Sequence, residues 1–203
     1  MNVNTPYKAS FTREQFLFHE MRSVSQLILS GMNDQEVIKV VINDNLFQYP
    51  TEKSVKRMAR NCLKRIHLLD DKRLIDIIAN GASDSAKQVC LYAMMNQYRV
   101  IYEFMISVIG EKYRIKDFSF SKKDINVFFS RLQEQSDVVA SWSDSTIQKL
   151  KQVILKMLVD TEYLDNTKSE TLNTVLIDFD LKNILIEKRD YATLSVFNCF
   201  EEE

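Results

Sequence analysis

The amino-acid sequence predicts a mainly α-helical protein built as two helical units, the second ending in a small pair of β-strands. Two observations carry the helical part. Only three Gly and two Pro occur in 203 residues, so the chain is poor in the residues that break helices and rich in those that form them. Apolar residues also recur at helical spacing behind residues that cap helix N-termini. The length accommodates one large domain or two small ones, and the Gly81-Ala82-Ser83 stretch offers a boundary between residues 1–81 and 82–203.

The elements follow in order. Thr12 with Gln15 reads as a capping box and Phe11 with Phe16 as its hydrophobic staple, opening a helix through Leu17, Met21, Val24 and Ile28 that stops at Gly31. Asn33 with Glu36 repeats the signature and opens a helix to about Asp44. The turn NLFQYP ends at Pro50, and Thr51 caps a helix running to Leu69. Asp70–Asn80, closed by Gly81, is a fourth. Residues 83–109 are apolar nearly all round and predict one long central helix. Ser121 begins a helix to Gln135, and Ser143 another to Tyr163. Beyond Leu164, Thr174–Phe179 and Ala192–Phe200 are short runs of β-branched and aromatic residues, read as two strands bridged by a helical turn. Helices followed by a strand pair give the element order of a winged helix, and the pair 33–44 and 51–69 that of a helix-turn-helix. Glu201–Glu203 are expected to fray.

Cys62, Cys90 and Cys199 are odd in number, widely spaced and in no CxxC pairing, the pattern of free thiols in a reducing cytoplasm. The stretch MNVNTPYKASFT lacks the apolar core of a secretion signal. Val89–Ile109 is the best membrane candidate, but Asn96, Gln97, Arg99 and Glu103 make it too polar to face lipid. A soluble cytoplasmic protein is expected.

Catalytic chemistry finds little support. His19 and His67 each lie on a helical pattern without a Cys or His at metal-ligand spacing, and three glycines make no phosphate loop. Asp178, Asp180 and Lys182 have the composition of a metal-dependent nuclease site, which needs a further carboxylate such as Asp160 or Asp165; a solvated strand end is the simpler account. Tyr92, Tyr98, Tyr102, Phe104, Phe128, Phe129 and Trp142 read as core rather than base-stacking platforms. The expectation is no catalytic residue, no metal and no cofactor.

The basic helix is different. Residues 51–69 hold six Lys/Arg against one acid, a charge of +5 in a chain of net charge −1. At about 100° per residue, Lys53, Lys56, Arg57, Arg60 and Lys64 share one wedge, while Val55, Met58, Ala59, Cys62, Ile66 and Leu69 cluster opposite. A helix anchored by one face with cations on the other suits double-stranded DNA. Thr51 and Ser54 at its N-terminus would meet phosphate, Lys53, Arg57 and Arg60 the groove, and Lys56 and Lys64 flanking phosphates. The same stripe also suits an acidic protein surface, the reading of a structural adaptor. Lys149, Lys156, Lys182 and Arg189 form a second basic set.

Four blocks in order, YKASFT with FLFHE, NLFQYPTEKSVKR, YRVIYEFMISVIGEKY and KLKQVILKMLVDTEYLD, resemble the BrxA family of bacteriophage exclusion (BREX) systems over roughly residues 7–165. The resemblance implies a cytoplasmic, non-enzymatic helical protein of phage defence. It would act beside a methyltransferase, a large ATPase and an alkaline-phosphatase-like protein, binding double-stranded DNA through helix-turn-helix-like elements. TEKSVKR coincides with the start of the basic helix.

Overall fold

The structure is a computed structural model that describes residues 5–200. Glu201–Glu203 and the first four residues of the stretch read for a secretion signal lie outside the described residues. The chain is mainly helical and forms two compact units. One is Phe16–Gln97; the other joins the residues before Phe16 to those from Tyr98 onward. The sequence reading drew its boundary at 81/82, whereas here the chain passes between units at Gln97–Tyr98. Gly81 is a turn inside the first unit, where the helices on either side of it pack together.

The first unit contains α1 (Phe18–Leu29), α2 (Asp34–Asn43), α3 (Glu52–His67), α4 (Lys72–Asn80) and α5 (Ser83–Gln97). α1 packs on α4 and α3, α2 on α3, and α4 on α5. The expected start of α1 at Thr12 is corrected. Thr12 Oγ1 donates back to the Ala9 carbonyl (3.0 Å), and Leu17 takes a left-handed conformation at φ 59°, so the helix begins only at Phe18. Its predicted stop holds: Gly31 has φ +95°, and the Met32 amide returns to the Leu27 carbonyl (3.3 Å). The Asn33–Glu36 capping box forms as predicted, with the Asn33 amide donating to Glu36 (2.8 Å) and the Gln35 and Glu36 amides donating to Asn33.

α2 and α3 are joined by residues 44–51, and they run antiparallel. His67 at the end of α3 lies 2.9 Å from the carboxylate of Asp34 at the start of α2. Helices crossing at the roughly 90–120° of a DNA-reading helix-turn-helix diverge from their turn and would leave those far ends well apart. The expected pair of helices is present as an antiparallel hairpin.

The second unit contains α6 (Arg99–Phe104), a π-helical segment (Met105–Gly110), α7 (Glu111–Arg114), α8 (Lys122–Gln135), α9 (Asp137–Ala140), α10 (Asp144–Asp160), α11 (Phe179–Glu187) and α12 (Tyr191–Val196). The single helix expected over 83–109 is interrupted at Tyr98, whose backbone is extended (φ −122°, ψ 107°). Its ring packs on Phe11 with centroids 5.3 Å apart, and its hydroxyl donates to Glu14. No Gly or Pro marks this break. α8 and α10 start at Ser121 and Ser143 as predicted, each capped by that serine's side chain. Gly110 lets α12 approach, because a Cβ there would collide with Ser195 Oγ.

The strand pair is also corrected. Among the described residues no strand forms; a single bridge joins Ser119 to Thr171. Residues 174–178 are irregular, and Asp178 accepts from the Asp180 and Leu181 amides, capping α11. Residues 191–196 are helical, with Thr193 and Val196 buried. Their burial overrides the strand preference of β-branched side chains. Without paired strands the second unit has no wing. No helix of the described residues is long and apolar enough to cross a membrane.

One polar cluster secures α3. Arg65 is fully buried; its Nε donates to Gln97 Oε1 (3.0 Å) and its Nη1 to the Phe16 carbonyl (2.8 Å). Gln97 Nε2 in turn donates to Asn61 Oδ1 (2.7 Å). Arg65→Ala leaves buried acceptors without their donor and opens a cavity, so it should cost roughly 3 kcal/mol of unfolding free energy. Urea denaturation reads this directly, and an unshifted midpoint contradicts the role. The thiols supply a second check. Cys62 and Cys90 are buried and Cys199 partly exposed, and burial pushes the Cys90 thiol up to about 12. A colorimetric thiol reagent should titrate Cys199 alone rapidly in the folded chain and all three cysteines after denaturation. A second fast thiol in the folded protein contradicts this burial.

Candidate nucleic-acid interface

α3 is built as a helix with one face committed. Thr51, in extended backbone at φ −135°, accepts the Ser54 amide on its side chain. Thr51 Oγ1 also donates to Ser54 Oγ (2.9 Å), which leaves the Ser54 hydroxyl proton able to point outward. Val55, Met58, Ala59, Cys62, Ile66 and Leu69 are all buried, as the periodicity predicts. Lys53, Lys56, Arg57, Arg60 and Lys64 are all exposed. None of these five forms an ion pair among the described residues. From Lys53 to Lys64 the stripe runs about 16 Å along the helix.

The sixth cation behaves differently. Arg65 counts toward the charge of the segment but lies outside the stripe, as the buried strut described above. A signal was present: on a helical wheel Arg65 falls outside the cationic wedge and stacks one turn above Asn61. A polar pair at i, i+4 on the packing side marks a buried hydrogen-bonded cluster.

Both ends of the stripe are pinned. At its N-terminal end the Tyr49 hydroxyl donates to Glu20 of α1, and Asn45 Nδ2 donates to the Tyr49 carbonyl (3.2 Å). Burial and the neighbouring Glu20 carboxylate push the Tyr49 phenol well above its usual range, while the Arg57 charge opposes them. At the other end Asp34 and Glu36, in the first turn of α2, bring negative charge beside His67. At the N-terminal end the helix dipole is positive, and Glu52 lies in the first turn. Beside the C-terminal half lies a shallow recess of about 380 Å³ that includes Ile38, Leu63 and Leu68.

Lys149 and Lys156 lie exposed on α10, with Lys156 Nζ 3.4 Å from Gln15, while Lys182 sits in α11 and Arg189 beyond it. Asp178 is a helix cap, and Asp165 accepts from Asn173 (2.8 Å). Among the described residues no group of three His, Cys, Asp or Glu could hold a metal ion. His19 and His67 are exposed. Tyr92, Tyr98, Phe104, Phe128 and Phe129 are core residues, whereas Tyr102 and Trp142 are half-buried.

Comparison with known proteins agrees with this architecture. The crystal structure of an uncharacterized protein from Magnetospirillum magneticum superposes with a TM-score of 0.76 at 20% identity, covering 96% of this chain and 98% of that one. At that identity the likeness is one of fold. The BREX protein BrxA of Bacillus cereus (strain H3081.97) is 38% identical over 176 residues, 86% of this chain and 88% of that protein. The BREX protein BrxA of Escherichia coli O9:H4 (strain HS) is 25% identical over 158 residues, 78% of this chain and 74% of that protein. The BrxA family profile matches residues 5–189, and with it the chain belongs to the BrxA family.

Proposed function

We propose that this protein is a non-enzymatic, double-stranded-DNA-binding accessory component of a BREX phage-defence system, acting in the cytoplasm with the system's other proteins. The observation that carries the reading is the α3 stripe: five exposed cations without ion pairs, on a helix whose opposite face is buried. Lys and Arg that neutralise phosphates release counterions, which supplies affinity with little sequence preference. In this reading Lys53, Arg57 and Arg60 face the duplex, Lys56 and Lys64 take flanking phosphates, and Ser54 beside Thr51 offers a hydroxyl donor at the helix N-terminus. The antiparallel hairpin supports an approach along the stripe, with most contacts to backbone rather than to base edges.

A second reading, an adaptor for an acidic protein surface, is favoured by the recess beside Arg60 and Lys64. Its Leu68 is 42% exposed and would receive an apolar side chain, which a phosphate backbone cannot supply.

Duplex binding measured by anisotropy should weaken with salt at a log–log slope of about −4 to −5 if all five cations meet phosphates. The triple variant Lys53→Glu, Arg57→Glu, Arg60→Glu should lose binding with its helical circular dichroism unchanged. A flat slope refutes the DNA reading; unaltered binding by the triple variant moves the site to Lys149, Lys156, Lys182 and Arg189. Leu68→Glu separates the two readings, since it should leave duplex affinity within about twofold, roughly 0.4 kcal/mol, while abolishing an adaptor contact that survives nuclease treatment.

A further inference from the structure

The second unit carries an open groove of about 1080 Å³, at the upper end of what small ligands occupy, roughly 300–1,000 Å³. One wall is the helical run from Arg99 to Arg114; the other is α8. Its first wall depends on the π-helical segment. In an α-helix an i, i+4 row drifts by about 40° at each step, so Arg99, Glu103, Ser107, Glu111 and Ile115 would spread over roughly 160° of the cylinder. The i→i+5 bonding of Met105–Gly110 widens the turn, and the same row drifts backward within it. The two drifts offset, and all five residues line the groove. The wall runs for roughly 24 Å of helix.

The groove is apolar between charged edges. Val108, Phe128 and Leu132 line it, and Ile115, Val127 and Val138 stand 63%, 39% and 53% exposed along it. Each of its acids already has a basic neighbour, Lys112 serving two of them. Glu103 binds Arg99 (2.6 Å) and accepts from Tyr7, Glu111 lies 3.7 Å from Arg114, and Lys112 holds Asp117 (2.8 Å) and Asp124 (3.3 Å). Lys123 and Arg131, two turns apart on α8, line the groove and are exposed, and neither has an ion pair among the described residues. Four bases and four acids line the groove, and among the described residues the two of these eight without an ion pair are both cations, flanking an apolar strip of helical length.

We propose that this groove receives an acidic amphipathic helix of a partner protein. Its apolar stripe lies on Val127, Ile115 and Val138, and carboxylates on its flank meet Lys123 and Arg131. The groove is lined by residues of the second unit alone.

The test uses the full chain and two labelled peptides of about fifteen residues, long enough to span the wall. Both carry leucines at i, i+3, i+4 and i+7; one has glutamates on its flanks and its twin has lysines. The glutamate peptide should bind and the lysine twin should bind at least about tenfold more weakly, a difference of about 1.4 kcal/mol. Lys123→Glu with Arg131→Glu should reverse that preference, and Val127→Asp should abolish binding with circular dichroism and Tm unchanged. Equal binding of the twins, binding that survives Val127→Asp, or no binding at all overturns the proposal. So does a dimer in sedimentation that Val127→Asp dissociates, because the occupant is then a second copy of this chain.

Discussion

The fully buried guanidinium of Arg65, bound to the Gln97 side chain and the Phe16 carbonyl, sets how α3 lies in its unit. An apolar wedge tolerates some rolling about the helix axis, because burial is non-directional. Hydrogen bonds to two fixed acceptors do not. Rolling α3 would leave both acceptors buried and unpaired, at about 1–3 kcal/mol each. The outward aim of Lys53, Lys56, Arg57, Arg60 and Lys64 is thus a consequence of a bond made on the other side of the helix. One basic residue holds the helix in place so that five others can face solvent.

That arrangement carries an internal cost. Lys53 with Arg57, Lys56 with Arg60, and Arg60 with Lys64 are like charges at i, i+4, each destabilising by about 0.2–0.5 kcal/mol. The chain totals 27 Lys and Arg against 28 Asp and Glu, so acids for pairing are not scarce. The stripe still forms no ion pair. Packing of the opposite face supplies the stability that tolerates this local repulsion.

Legibility in the sequence followed the range of the interactions. Helix starts at Asn33, Thr51, Ser121 and Ser143 were readable because the capping bond spans two or three residues. So was the buried face of α3, since periodicity is local. Thr12 failed locally, since its hydroxyl donates to Ala9 three residues back instead of capping. The other failures depended on distant partners, and nothing in the run 83–109 announces that Tyr98 turns away to pack on Phe11. Ala192–Phe200 has strand composition, but Thr193 and Val196 are buried on a helix, so tertiary packing decided their state. The basic residues of the candidate site were legible as a set. The antiparallel seating of α2 was not, because it rests on packing between α2 and α3 that brings together residues as far apart in sequence as Asp34 and His67.

The π-helical segment shows how two demands can meet in six residues. A π turn is rare because its bonding geometry is unfavourable, so a fold that keeps one has a reason on at least one face. On one face Gly110 lets Ser195 of α12 come so close that a Cβ at residue 110 would collide with its hydroxyl as placed. On the other, the wider turn straightens the row from Arg99 to Ile115 into a groove wall. A regular α-helix here would turn Glu111 and Ile115 away from Arg99 and Glu103 and break the groove in the middle. The packing of α12 and the length of the groove are therefore one structural decision, and a substitution at Gly110 acts on both faces at once.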